Sequence, residues 1–273
     1  MKLASVNGHA TIVVEGGGID VARASGGELP SNIQELYGEW DALRAHHFDG
    51  PVEPFRAEDV RPPVHGSVQV FGIGLNYGLH AQESGMELPK IPATFTKFPS
   101  SITGPTGEIE LRGPTTDWEV ELVVVMGKRA EKVAEADAWS YVAGLTIGQD
   151  LSERTVQFAA GNQFSLGKSY KGYAPIGPYV VTPDELADPD DLGLGCSVNG
   201  EVVQESRTSD LVFSVSSLIA QLTDVVTMLP GDLVFTGTPA GVGFTRNPPR
   251  FLQPGDVLES WIEGLGTMRH TFR

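Results

Sequence analysis

Thr115-Thr116-Asp117-Trp118-Glu119-Val120-Glu121-Leu122-Val123-Val124-Val125-Met126-Gly127 is the stretch that decides the reading of this chain. Its second half is apolar and β-branched, which predicts a buried strand. Side chains on a strand alternate between faces, so Asp117, Glu119 and Glu121 fall on one face and Trp118, Val120 and Leu122 on the other. The rise per residue separates Glu119 from Glu121 by roughly 6–7 Å along the backbone. Two carboxylates that close beside a core strand are costly unless positive charge lies between them. A hard divalent cation such as Mg²⁺, Mn²⁺ or Ca²⁺ meets that need with oxygen ligands. The same pattern also fits a strand with one solvated face.

Outward from this strand, the composition sets bounds. The chain has 273 residues, enough for one large domain or a catalytic domain with a small appendage. Its 33 glycines and 19 prolines favour many turns and short strands over a helical bundle. A net charge of −16 repels nucleic acid and anionic membrane, so neither is expected as a partner. A single cysteine, Cys196, lies in an apolar run read as a core strand. That usage fits a reducing compartment, and the expectation is a cytoplasmic protein with no signal peptide or membrane span.

Residues 1–65 read as a small N-terminal accessory unit: strands near 10–15 and 19–22, then a helix opened by Pro30-Ser31-Asn32 with Ile33, Leu36, Tyr37, Trp40 and Leu43 at helical spacing. The proline-rich stretch 51–63 reads as a linker, and residues 66–273 as the larger domain.

Within that domain, Val68 to Gly74 predicts a strand that breaks into polar residues. Tyr77 replaces the third glycine of a dinucleotide fingerprint, which excludes that fold. His80 and Glu83 are three apart, as a base and its orienting acid would be on a helix, or as a surface ion pair would be. After a strand ending at Gln149, a helix running on from Asp150 with Ser152 as cap would align Asp150, Arg154 and Gln157. Lys168 stands in a ring-lined loop suited to an anion. An Asn199-Gly200 hairpin follows, then a helix capped by Ser209 or Asp210 with Val215, Leu218, Ile219 and Leu222 on one face. In Phe235-Thr236-Gly237-Thr238-Pro239-Ala240-Gly241-Val242-Gly243, glycines such as Gly237 allow close backbone approach to a ligand, and Thr238 offers a hydroxyl.

In their order and spacing, Gly74-Leu75-Asn76-Tyr77 with His80 and Glu83, Asp117 to Leu122, Gln149 to Arg154, Gly167-Lys168-Ser169, and Leu229 to Asp232 with Thr236 to Gly243 resemble the fumarylacetoacetate hydrolase family over roughly residues 65–273. The resemblance implies an α+β, predominantly β fold, a mixed β-roll with the N-terminal unit as accessory domain, and a homodimer. It implies an ion held by Glu119, Glu121 and Asp150, with His80, Glu83 and Lys168 catalytic and Arg154, Gln157, Gly237 and Thr238 binding a small keto or diketo acid. The implied reaction is metal-dependent hydrolysis of a C–C bond in an acylpyruvate of an aromatic or sugar-acid catabolic route. Isomerisation or decarboxylation of a keto acid on the same site is the alternative. A non-catalytic metal-binding dimeric scaffold is the alternative of another class, and it has no use for His80, Glu83 and Lys168. Gln149, where many members have asparagine, and Lys171, where many have aspartate, depart from the pattern and bear on substrate identity.

Overall fold

The structure, a computed structural model, describes residues 1–66, 68–159, 161 and 163–273. The fold is α+β and predominantly β, a mixed β-roll. One 11-stranded sheet runs in the order Gly17–Asp20, His9–Val14, Lys2–Val6, Ala174–Val181, Val142–Gln149, Val120–Met126, Leu233–Phe235, Val70–Gly74, Ala93–Thr96, with Val60–Arg61 and Ile102–Thr103 attached at the side. A five-stranded sheet packs Glu201–Arg207, Gly193–Val198, Val257–Ile262, Gly266–Phe272 and Thr106–Ile109 in that order.

The acidic strand explains how the layers meet. All seven residues of Val120–Met126 are buried, as expected for a central strand covered on both faces. Val120, Leu122, Val124 and Met126 belong to a core shared with Leu194, Cys196, Leu258 and Met268 of the second sheet. Val123 and Val125 point the other way, into a core shared with Leu3, Ile12, Ile33, Leu36, Trp40 and Leu43. The first 65 residues therefore cover the opposite face of the same sheet. They join it through a strand absent from the sequence reading, Lys2–Val6, which pairs with Ala174–Val181. Val60–Arg61, inside the stretch read as linker, pairs with Lys2–Val6 as well.

Local structure follows the sequence in most places and differs in three. The hairpin turn at Asn199-Gly200 has both residues at positive φ, 54° and 81°, as a two-residue loop of this type requires. The helix read as capped by Ser209 or Asp210 spans Val215–Thr223, and its cap is Ser214, which accepts from Ser217 N at 3.2 Å. Thr208–Asp210 forms a separate 3₁₀ turn. The helix expected to continue from Asp150 starts at Arg154, because Ser152–Glu153 is extended and pairs with Thr116–Asp117. Ser152 donates to the carbonyl of Asp150 and caps nothing; Glu153 accepts from Val156 N at 2.8 Å in its place.

Topology also locates the site. Val70–Gly74 and Leu233–Phe235 run parallel, and the acidic strand runs antiparallel to Leu233–Phe235. Val142–Gln149 is antiparallel to the acidic strand, with Val120 opposite Gln149. Three strands therefore end where the acidic strand begins.

Candidate active site

At that junction the strand register sets Glu119 beside Asp150: Asp150 N donates to Glu119 O at 2.9 Å, and Glu119 N donates to the Gln149 side chain at 2.9 Å. One carboxylate oxygen from each of Glu119, Glu121 and Asp150 lies within 4.8 Å of the others, and all three residues are buried. Asp117, read from the sequence as sharing this face, lies on the separate strand Thr116–Asp117 and is not part of this group. Its carboxylate accepts from Arg154 Nε at 2.9 Å and Nη2 at 2.7 Å, and from Gly243 N and Phe244 N. Arg154 reaches on to Glu119 at 2.6 Å and Gln157 at 2.9 Å, with its guanidinium carbon 4.4 Å from the Phe244 ring centre.

Lys168 lies across the acids. Its ammonium donates to Glu119 Oε2 at 2.8 Å, Asp150 Oδ2 at 2.6 Å and Ser152 Oγ at 3.0 Å. Burial alone would lower this ammonium, but the charges of Asp150 and Glu119 outweigh it and hold it above its usual value. Glu119 shows the same contest from the other side: burial favours the neutral acid, yet Lys168 and Arg154 bring it down to about 2. Glu121 differs. Burial, joined by Asp150 and Glu119, pushes it well above the usual carboxylate range, against the opposing charge of Lys168 and one backbone donor, Gly237 N at 2.8 Å.

These observations test the fit of a metal. An all-oxygen donor set of three convergent carboxylates suits a hard divalent cation. Lys168 does not offset the burial and like charge at Glu121, and such an ion would supply the missing compensation. The residues present fit the group.

The dyad reading also finds its geometry. His80 Nδ1 and Glu83 Oε1 are 2.8 Å apart on the helix Gly78–Glu83. With Glu83 ionised, Nδ1 carries the proton and Nε2 is the basic atom. Glu83 is itself held by Gly241 N, at 3.1 and 3.0 Å to its two oxygens, and by Thr245 Oγ1 at 3.2 Å. The turn into this helix is fixed by buried Asn76, whose amide donates to Phe213 O and Thr236 O and accepts from Phe213 N.

His80, Glu119, Arg154, Gln157, Lys168 and Thr238 line one narrow cavity of about 40 Å³, and Glu121 and Asp150 are buried beside Glu119. Phe95, Phe158, Phe164 and Phe244 form an aromatic wall, each ring 5.7–6.2 Å from the next. A larger apolar groove around Phe71, Val133 and Leu222 contains none of the candidate catalytic, substrate-binding or metal-holding residues. The glycine-rich loop is committed to the acids: Gly237 N serves Glu121, Gly241 N serves Glu83, and Gly243 N serves Asp117. The Thr238 hydroxyl donates to Val120 O at 2.9 Å and accepts from Gln204 at 2.8 Å. Lys171 is exposed.

One member of the cluster was missed by sequence reasoning. Lys97 is 1% exposed and donates to Asp150 Oδ1 and to the backbone carbonyl of Lys168. In sequence it is one lysine at the end of a short strand. Its partners are 53 and 71 residues away, so no local pattern marks it.

Residues 69–273 match the family described as fumarylacetoacetate (FAA) hydrolase, C-terminal. The chain is 43% identical over 229 residues to oxaloacetate tautomerase Fahd2a, mitochondrial, of Rattus norvegicus, covering 83% of this chain and 73% of the relative. It is 45% identical over 210 residues to 2,4-didehydro-3-deoxy-L-rhamnonate hydrolase of Sphingomonas sp. (strain SKA58), covering 76% and 74%. A crystal structure from Mycobacterium smegmatis superposes with a TM-score of 0.95 at 49% identity, covering 100% of this chain and 99% of that one. The relatives' names describe a tautomerase and a hydrolase, both enzymes. This chain belongs to the fumarylacetoacetate hydrolase family.

Proposed function

We propose that this protein is a divalent-metal-dependent enzyme that transfers a proton between the keto and enol forms of a short 2-keto acid, with oxaloacetate as the leading substrate. The reading is carried by one observation: His80 of the dyad, Glu119 of the acidic group and Lys168 line the same cavity. The 43% identity to a tautomerase supports this choice of reaction.

Glu119, Glu121 and Asp150 would hold the ion, which when bound supplies Lewis-acid polarisation to the keto and carboxylate oxygens. His80 Nε2 takes the proton from the carbon next to the keto group, and the C–H electron pair moves into the new C=C bond. The imidazolium then delivers that proton to the keto oxygen, so none is gained or lost. Glu83 fixes the ring's tautomer and stabilises its charged form. Lys168 steadies the negative charge that develops on oxygen, with Arg154 and Gln157 placing the carboxylate. The aromatic wall excludes water from the carbon that exchanges its proton.

A second reading is hydrolysis of an acylpyruvate C–C bond. The 45% identity to a sugar-acid hydrolase favours it. His80 would then take a proton from water, which attacks the distal carbonyl. The test is the ultraviolet decay of enol-oxaloacetate, run beside product analysis with acetylpyruvate. Mg²⁺-dependent acceleration of enol decay is expected from the wild type and not from His80→Ala. Release of acetate and pyruvate with no effect on enol decay would move the protein to the hydrolase reading.

A further inference from the structure

Lys97 has the placement of a working residue and no assigned task. It is not among the residues that line the cavity, whereas His80, Glu119, Arg154 and Lys168 are. Its ammonium is wholly buried and bridges two parts of the acidic cluster. One is Asp150, whose Oδ1 it holds while Oδ2 turns toward Lys168. The other is the backbone carbonyl of Lys168, the residue whose side chain enters the cavity. A carboxylate on a flexible side chain has a free terminal torsion, and a charge-assisted bond to one oxygen fixes where the other points. Lysine suits this position because its head carries several donors and lies 6.0 Å from the Phe235 ring centre.

We propose that Lys97 is a positioning residue of the metal centre, setting the Asp150 carboxylate and the Lys168 backbone in one register. The inference rests on the reading that Glu119, Glu121 and Asp150 hold a divalent cation. Outer partners of metal ligands typically change metal affinity by about 10–100-fold when removed.

The experiment is Mn²⁺ titration, by calorimetry or by the free-ion electron paramagnetic resonance signal, of the wild type, Lys97→Met, Asp150→Asn and the double variant. Lys97→Met is expected to weaken Mn²⁺ binding about tenfold or more. In the Asp150→Asn background the same change is expected to have no further effect, because the partner through which Lys97 acts is already altered. The double variant removes both buried charges together, so a folded comparison remains if the single variant is unstable. Equal affinity of Lys97→Met and wild type, or the same loss in both backgrounds, overturns the role of Lys97 alone. A wild type that binds no Mn²⁺ overturns the metal reading, and this role with it.

Discussion

Replacing His80 with alanine takes a basic nitrogen out of the cavity and leaves Glu119, Glu121 and Asp150 in place. Turnover should fall by about 10²–10⁴-fold, the range for a lost general base, with Mn²⁺ affinity unchanged by titration. A parallel loss of metal binding would mean that His80 acts structurally. A second histidine gives a pH prediction away from the chemistry. Buried His270 donates from Nε2–H to Gly104 O at 2.9 Å, and burial lowers it from 6.5 to about 4. The unfolded chain therefore takes up this proton first as pH falls. The stability that the neutral ring contributes is complete above pH 6.5 and is lost progressively as pH falls toward 4. The contribution at stake is about 3 kcal/mol. Chemical denaturation at pH 7 and pH 4.5 should show His270→Asn less sensitive to acid than the wild type over this window.

The glycine-rich loop after Leu233–Phe235 holds an acid at each of three glycines. Gly241 sits at φ 108°, and a Cβ there would lie 2.1 Å from the Val203 carbonyl oxygen. Gly241→Ala must therefore shift the loop, at a cost of about 1–3 kcal/mol for the strained backbone alone. Glu83 loses its backbone donor in the same step. We expect a lower melting temperature together with a lower kcat, read by calorimetry and steady-state kinetics. This element also shows what was legible in the sequence. Alternation placed Glu119 and Glu121 together, two of the three convergent carboxylates, because a period of two is local, but the strand itself begins only at Val120 and Asp117 belongs to a separate strand. The His80–Glu83 pair was legible for the same reason, being one helical turn apart. What the loop's N–H groups bind was not legible, because Glu83, Asp117 and Glu121 are more than a hundred residues away. The start at Arg154 was missed because strand pairing with Thr116–Asp117 overrode the helical pattern from Asp150.

Across the whole molecule, the first 65 residues cover a face of the large sheet that includes Val123, Val125, Ile176, Val180, Leu233 and Phe235. Residues 66–273 expressed alone would expose that face, and a contiguous apolar surface of this kind drives association. Size-exclusion chromatography should find the fragment aggregated; a monodisperse, active fragment would contradict the shared core. Metal should act on the whole molecule as well. Chelation with EDTA should lower the melting temperature, and added Mn²⁺ should restore it, by about 2.7 kcal/mol at a hundredfold excess over Kd. A large restoration without turnover on any keto acid would favour the scaffold reading. The loop that holds Glu83, Asp117 and Glu121 has a practical consequence for redesign. Its amides are already engaged, so mutating it would disturb Glu83, the Asp117–Arg154 pair and Glu121 together. The Phe158 and Phe164 rings come from a different segment and hold none of those groups, which makes them the place to diversify for new substrates.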